Sequence, residues 1–149
     1  MLNILHKFKY NRRVDLCKPL IDEVLKKVDL SYDFIIPVPM DRFRLIQRGY
    51  NQSLLLARAL SKRTEVPMLI NTLIKKHIKR QVGMSREGRL KNISGNIYVN
   101  SKYFEKIKGS RVLVLDDVVT TGATLNECAK VLKSAKATLV DIFAIARSL

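Results

Sequence analysis

The sequence of 149 residues has no tryptophan, two cysteines and four prolines, and its acidic side chains are scarce. The two cysteines lack C-x-x-C spacing, so neither a disulfide framework nor a zinc ribbon is expected. No apolar stretch approaches the ~20 residues that span a bilayer, and the N-terminal residues MLNILHKFKY lack the long uncharged core of a secretory signal. We therefore expect a cytoplasmic protein whose cysteines are reduced.

Two common phosphate-binding motifs are also missing. The chain contains neither a Gly-Lys-Ser/Thr ending, as in a P-loop, nor a G-x-G-x-x-G run, so these nucleotide-binding classes are not expected. No internal repeat or low-complexity tract is found. With 47% apolar residues the chain can bury one core, which predicts a single domain over residues 1–149.

Positive charge is abundant and unevenly distributed. Lys and Arg number 28 against 13 acids, and residues 1–111 hold 24 of the basic and 9 of the acidic side chains. Such a field attracts anions, so a phosphate ester or a single-stranded nucleic acid is a candidate partner. A well-solvated surface is the alternative that the sequence leaves open.

The most informative segment is RVLVLDDVVTTGATL at residues 111–125. Its apolar run at 112–115 predicts a central parallel strand that is covered on both faces. Asp116 and Asp117 follow at the carboxyl end of that strand, where open α/β sheets place their ligands. The segment therefore predicts a ligand site as well as a strand.

The small and hydroxyl-bearing residues after the strand predict a phosphate-binding loop, because their backbone N–H groups can approach an anion closely. Helical spacing begins at Leu125, and Thr124 with Glu127 matches a capping box, so the loop would lie at a helix N-terminus. An acidic turn that only caps a helix remains the alternative. The loop residues are Thr120, Thr121, Gly122, Ala123 and Thr124.

A second candidate segment lies earlier in the chain. The apolar run at 34–36 predicts a strand, and a basic loop from Met40 to Tyr50 follows it. Asn51 would cap the next helix, whose apolar pattern runs from Leu54 to Leu60. An amphipathic helix at 14–28 and a last strand at 138–146 complete the alternation of helices and strands, which predicts a parallel sheet flanked by helices.

These segments resemble the type I phosphoribosyltransferases, and in particular the ComF competence proteins. Residues 112–124 resemble the signature that binds phosphoribosyl pyrophosphate (PRPP), and DFIIPVPMDRFRLIQRGYNQ at 33–52 resembles a ComF segment. The resemblance extends from HKFKY at 6–10 to AIAR at 144–147. It implies the α/β fold of that family. ComF proteins usually begin with a four-cysteine zinc module, which this sequence does not contain.

The resemblance also implies roles for particular residues. Asp116 and Asp117 would contact the ribose hydroxyls as the catalytic pair, and the loop 120–124 would bind the 5′-phosphate. A hood over about 76–96 would close the site. Mg²⁺ is expected to arrive with PRPP, with no metal bound directly by the protein. The pyrophosphate side would comprise Arg44, Arg48, Gly49, Asn51 and Gln52, and the hood would contribute Arg86, Arg89 and Asn92, which a short helix would place on one face.

Three functions stay open at this point. A ComF-like protein would bind a phosphoribosyl ligand and support DNA uptake, with single-stranded DNA and a competence helicase as candidate partners. A working phosphoribosyltransferase would use the same residues, as would a PRPP-sensing regulator. Thr120 stands where purine-salvage relatives carry an aspartate, so a hypoxanthine-guanine activity is not expected. Phe43 and Tyr50 could stack on a base or belong to the core or rim.

Overall fold

The computed structural model describes residues 17–29, 31–76 and 95–147, and every structural statement concerns these residues. None of the described helices is both long and apolar enough to cross a membrane. A short 3-10 turn at Ser101–Tyr103 leads directly into the helix that begins at Phe104. The helices are α1 (Cys17–Leu25), α2 (Arg42–Arg48), α3 (Gln52–Thr64), α4 (Phe104–Ile107) and α5 (Ala123–Ser134), and the strands are β1 (Phe34–Pro37), β2 (Leu73–Lys75), β3 (Ile97–Val99), β4 (Arg111–Val119) and β5 (Leu139–Arg147).

The main sheet is parallel, with the order β1-β4-β5. Val114 pairs with Ile36 of β1 on one side and with Ile142 of β5 on the other. The four residues 112–115 are buried, because helices cover both faces of the central strand. The predicted parallel sheet and the central place of this strand are confirmed.

Two hydrophobic clusters cover the two faces of this sheet. On one face α1 and α3 pack against the odd-numbered positions Leu113 and Leu115 of β4. On the other face α5 and the strands β2 and β3 pack against Val112 and Val114. Cys128 of α5 is fully buried in this second cluster.

A second, antiparallel sheet of β2 and β3 was not predicted. The N–H of Lys76 donates to the carbonyl of Asn96 at 2.8 Å, so the pair of strands brings together the two ends of segment 77–94. The predicted hood residues Arg86, Arg89 and Asn92 fall in that segment and lie outside the described residues.

The basic segment between Met40 and Tyr50 is helical over α2, so its prediction as a loop was wrong. Asp41 caps the helix by accepting a hydrogen bond from the N–H of Arg44 at 3.0 Å. Gly49 ends it with a φ of 79°, a left-handed conformation that favours glycine. Asp41 was a readable capping signal. The first helix ends at Leu25, before its predicted end at residue 28.

The predicted capping box was also wrong. Helix α5 begins directly after Gly122, which has a φ of 77°, and no side chain caps it. Thr124 is therefore already inside the helix. The carboxylate of Glu127 accepts a hydrogen bond from the N–H of Gly95 at 2.9 Å, so it holds the start of β3 instead of the first turn of its own helix.

The connection before β1 is held to the edge strand β5 by one side-chain contact. The hydroxyl of Tyr32 donates to Asp141 Oδ2 at 2.6 Å. Burial raises the pKa of Tyr32, and the hydrogen bond to Asp141 and its negative charge raise it further. The tyrosine therefore stays protonated and keeps donating to this carboxylate.

Candidate functional site

The acidic pair lies inside β4, which continues to Val119 beyond the expected end of the strand. Val118 packs with the same cluster as Leu115, whereas Val119 packs with the opposite one. The pairing of β4 with β5 nevertheless keeps the same register from Arg111 to Val119, so no residue is inserted into the strand at the acidic pair.

A small hollow opens between the end of β4 and the start of α5. Its volume is about 50 Å³, and among the described residues Asp116 and residues 118–125 line it. This volume is far below that of a typical pocket for a whole small molecule, so the hollow has room for only a small group. The five loop residues of the predicted phosphate site, Thr120–Thr124, all form its wall.

The position of α5 gives the hollow its electrostatic character. This helix of 12 residues starts at Ala123, so the N–H groups of its first turn and the positive end of its dipole lie in the same wall. The left-handed conformation of Gly122 turns the chain sharply into the helix. The start of α5 therefore contributes the positive end of a helix to one wall of the hollow.

The carboxyl group of Asp116 is partly buried and firmly held. Its Oδ1 accepts hydrogen bonds from the hydroxyl of Ser53 at 2.7 Å and from the N–H of Asp117 at 2.9 Å. Burial raises the pKa of Asp116 to about 6; the bond from Ser53 opposes this shift, and the negative charge of Asp117 adds to it. The pKa of this carboxyl group therefore lies above its ordinary range.

The predicted pyrophosphate residues fall into two groups. Arg44, Arg48 and Gly49 belong to α2 and its C-cap and are exposed. The side chain of Asn51 is used inside the protein: Oδ1 accepts from the N–H of Ser53, and Nδ2 donates to the carbonyl of Val38, each at 3.0 Å. Asn51 therefore holds the end of the basic segment to the carboxyl end of β1.

Gln52 is the buried member of the predicted set. It is 1% exposed, and its Nε2 has no hydrogen-bond partner within the described part of the chain. Leaving a buried amide donor without a partner is energetically costly. Gln52 lies in the first turn of α3, next to the residue that contacts Asp116.

Backbone contacts bring the two predicted segments together at one edge of the sheet. The N–H of Val38 donates to the carbonyl of Leu115 at 3.0 Å, directly before the acidic pair. Asn51 is bound to the carbonyl of the same valine. The start of α3 and the acidic pair therefore lie side by side, as expected for the carboxyl ends of neighbouring parallel strands.

Two residues of this region were missed in the sequence. Ser53 had no readable signal, because its partner Asp116 lies 63 positions away in the chain. Lys75 lies two positions after the buried Leu73 in β2, and residues at this spacing share one face of a strand. This spacing could have placed Lys75 on the inner face. Burial lowers the pKa of Lys75 and the charge of Arg44 lowers it further, whereas the charges of Asp41 and Asp116 act in the opposite direction.

The two aromatic candidates occupy different positions. Phe43 is 62% exposed on α2, so it belongs to the rim and not to the core. Its helix also exposes Ile46, and none of the helix residues is buried. Tyr50 is half-buried directly after this helix. Helix α2 thus presents apolar and basic side chains together beside the site.

The raised pKa of Asp116 predicts a pH effect on stability. At pH 8 the carboxyl is ionised in the folded and the unfolded protein, and only the folded protein has the cost of burying the charge. As pH falls through about 6, the folded state takes up a proton first, so this group favours folding increasingly until the pH nears 4.

Asp116→Asn is therefore expected to raise the free energy of unfolding at pH 8 by on the order of 2 kcal/mol, and to change it little at pH 4. Urea denaturation of both proteins at the two pH values measures this difference. Asp29→Asn, a change at an exposed aspartate, is the control. A variant that is less stable than the parent at pH 8 would contradict the prediction.

Comparison with known proteins agrees with this architecture. The family profile described as the phosphoribosyl transferase domain matches residues 50–148. This range includes helices α3 to α5 and every described strand except β1. The chain therefore belongs to the phosphoribosyl transferase domain family. Within that family it is similar to the ComF proteins, so the resemblance seen in the sequence is confirmed.

The similar proteins are longer than this chain. Competence protein F of Haemophilus influenzae is 38% identical over 116 residues, which cover 76% of this chain and 50% of that protein. Competence protein ComFC of Bacillus subtilis is 28% identical over 153 residues, which cover 99% of this chain and 60% of that protein. The chain thus spans half to three fifths of the length of these two relatives.

A solved structure shows the same fold at low identity. The glutamine PRPP amidotransferase from B. subtilis, complexed with ADP and GMP, matches with a TM-score of 0.62 at 18% identity, covering 95% of this chain and 30% of that enzyme. At this identity the likeness concerns the fold alone. The predicted α/β fold of the type I phosphoribosyltransferases is confirmed.

Proposed function

We propose that this chain binds PRPP or a related phosphoribosyl ligand at the carboxyl edge of the sheet, and that it serves DNA uptake as a ComF-like protein. The observation that carries the binding proposal is the hollow at the start of α5. It combines a helix N-terminus and hydroxyl side chains with the carboxyl of Asp116 in one wall. An anion site beside a carboxylate suits a ligand that offers both a phosphate and hydroxyls.

The proposed roles follow from these positions. The loop 120–124 would hold the 5′-phosphate through its backbone N–H groups. Asp116 and Asp117 would accept hydrogen bonds from the ribose hydroxyls. Arg44 and Arg48 would bind the pyrophosphate, since guanidinium groups match phosphate oxygens in a bidentate manner.

The donor set also suits Mg²⁺ that is carried by the ligand. Two adjacent carboxylates beside a polyphosphate repel it unless a hard cation lies between them, and Mg²⁺ prefers carboxylate and phosphate oxygens. Asp116 and Asp117 are the residues that would face such an ion through water or the ligand, with no metal bound directly by the protein. The ion would neutralise the charge of the pyrophosphate.

The proposed role in DNA uptake rests on the names of the relatives and on the charge of the chain. Two similar proteins are called competence proteins. A formal net charge of +15 favours association with a polyanion such as single-stranded DNA. A competence helicase is a second candidate partner, which the resemblance alone suggests.

Titration calorimetry of the chain with Mg-PRPP tests the binding proposal, and we expect saturable binding. Arg48→Glu is expected to lower the affinity about tenfold or more, because it removes a charge-assisted contact and adds a repulsive charge. Arg63→Glu at the opposite end of α3 provides the same charge reversal as a control. Equal losses in the two variants, or no saturable binding by the parent, would overturn the proposal.

An assay of pyrophosphate release separates the enzymatic alternative from binding alone. A transferase would use Mg-PRPP in the presence of an acceptor, which displaces pyrophosphate from C1′ of the ribose. Release with one of a panel of bases and amines would establish that activity. Saturable binding without release would favour a sensing or binding role.

A further inference from the structure

Helix α2 exposes large apolar side chains on one face. Ile46 is 83% exposed, Phe43 is also mostly exposed, and no residue of the helix is buried. Residues three and four positions apart share one face of a helix, so Phe43 and Ile46 lie together with the exposed Arg42. We call these three residues the α2 ridge.

The α2 ridge is separate from the arginines that are proposed to bind pyrophosphate. Arg44 and Arg48 are four positions apart and share a different face of the helix. The Nε of Arg44 lies 3.7 Å from Oδ2 of Asp41, whereas Arg42 forms no ion pair with another residue in the described ranges. The ridge therefore offers a cation and two apolar side chains to a partner.

A groove with matching properties lies between β5 and the turn that follows α1. Its volume is about 460 Å³, which is large enough to enclose the side chains of a protruding helix. One apolar member of its wall, Ile142, is 43% exposed. We call this cavity the β5 groove, and its apolar lining comprises Val28, Leu113, Val140, Ile142 and Phe143.

The charged groups of the β5 groove complement the α2 ridge. The carboxylates of Asp29 and Asp141 line it together with one basic side chain, that of Lys27, in a chain whose formal net charge is +15. Asp29 accepts a hydrogen bond from the hydroxyl of Ser31 and Asp141 accepts one from Tyr32, so both carboxylates are held in the wall. A guanidinium group that enters beside apolar side chains would meet a carboxylate there.

We infer that the α2 ridge of one chain docks into the β5 groove of a second copy of the same chain. The strand before α2, β1, and the strand of the groove, β5, lie on opposite sides of β4. The contact is therefore heterologous, with each copy using its ridge toward one neighbour and its groove toward another. This inference goes beyond the proposed function, because neither surface includes a residue of the proposed phosphoribosyl site.

The position of β5 favours such a contact. Among the described strands, β5 forms one edge of the main sheet, with β4 as its ladder partner. An apolar edge strand that stays exposed is prone to unspecific pairing, so proteins cover or interrupt such edges. A second copy that is seated in the groove would cover the apolar wall at the first half of this strand.

Sedimentation velocity of the chain over a range of concentrations tests the inference. About 0.15 M salt is needed, because copies with a high positive charge repel each other at low ionic strength. One short helix buries less area than a standard interface, so association is expected on the order of 10–100 μM. The average mass should rise beyond that of a dimer, since a heterologous contact leaves a free ridge and a free groove at the ends.

Two kinds of variant separate the surfaces. Ile46→Asp alters the ridge, and Ile142→Lys alters the groove; each alone is expected to weaken self-association at least about tenfold. Their equimolar mixture is expected to associate as far as a dimer and no further, because one intact groove and one intact ridge remain in the pair. Asp29→Lys, a change at an exposed side chain, is a second groove variant that leaves the apolar wall intact.

Ile70→Asp is the matched control, since it makes the same exchange at an exposed isoleucine outside both surfaces and should associate like the parent. A parent that stays monomeric up to about 1 mM would overturn the inference. So would mixtures in which neither groove variant associates with Ile46→Asp, which is the behaviour of a self-complementary contact. A monomeric parent that binds a labelled oligonucleotide through Ile46 would assign the ridge to nucleic acid instead, and would equally overturn the inference.

Discussion

Asp117→Asn is expected to lower the affinity for Mg-PRPP by about 10- to 100-fold, because a hydrogen bond to a charged group contributes about 1.5–3 kcal/mol and each 1.4 kcal/mol is tenfold in affinity. The affinity for a labelled single-stranded oligonucleotide is expected to change by less than about threefold, since removing one negative charge does not weaken contacts to phosphates. The two affinities are measured by calorimetry and by fluorescence anisotropy.

The control for this variant is Asp141→Asn, which makes the same exchange in β5. Asp141 accepts the hydrogen bond from Tyr32, away from the hollow, and Asn can still accept it. The control should leave both affinities unchanged. Equal losses of both affinities in Asp117→Asn would contradict separate sites for the phosphoribosyl ligand and the nucleic acid. Repeating the DNA titration at several salt concentrations shows how many phosphates the protein neutralises.

Leu132→Ala is expected to lower the free energy of unfolding by about 3 kcal/mol, because it removes a buried side chain and leaves a cavity. Leu132 is fully buried in the cluster between α5 and the sheet. Urea denaturation measures the loss as a lower midpoint with an unchanged slope. The variant removes packing that fixes α5, the helix whose first turn forms the hollow.

Lys133→Ala on the same helix is the control for this prediction. Its side chain is exposed, and surface exchanges of this kind usually change stability by less than about 0.5 kcal/mol. A loss below about 1 kcal/mol in Leu132→Ala would contradict the assignment of this face of α5 to the core.

The sequence was most informative where local pattern and burial agree. The run at 112–115 has no polar alternation, and the structure makes it the central strand with both faces covered. The glycine and small residues after it form the predicted turn into α5. Periodicity and turn chemistry act over a few residues, so a single sequence displays them directly.

Features that depend on distant contacts could not be predicted in the same way. The strands β2 and β3 have three residues each and exist only as a pair, since Leu73 pairs with Val99. The contact between Ser53 and Asp116 joins elements that no local pattern connects. Glu127 matched a capping pattern, but the N–H of Gly95 was the partner that tertiary packing supplied.

Helix α2 was missed for a different reason. Its residues RFRLIQR have no buried face, so the pattern lacks the contrast between an apolar and a polar side that usually reveals a surface helix. The signals at its ends, Asp41 and Gly49, were the readable ones. Capping residues can therefore be more informative than periodicity for a short exposed helix.

The strand order has a consequence for how the chain folds during synthesis. The ladder partner of β1 is β4, so Phe34 finds Val112 only after most of the chain has left the ribosome. Non-local parallel pairing of this kind slows folding, because the intervening loop must close before contacts form. Until then β1 presents an edge of apolar residues without its partner β4, and such an edge makes an incompletely folded chain prone to aggregate.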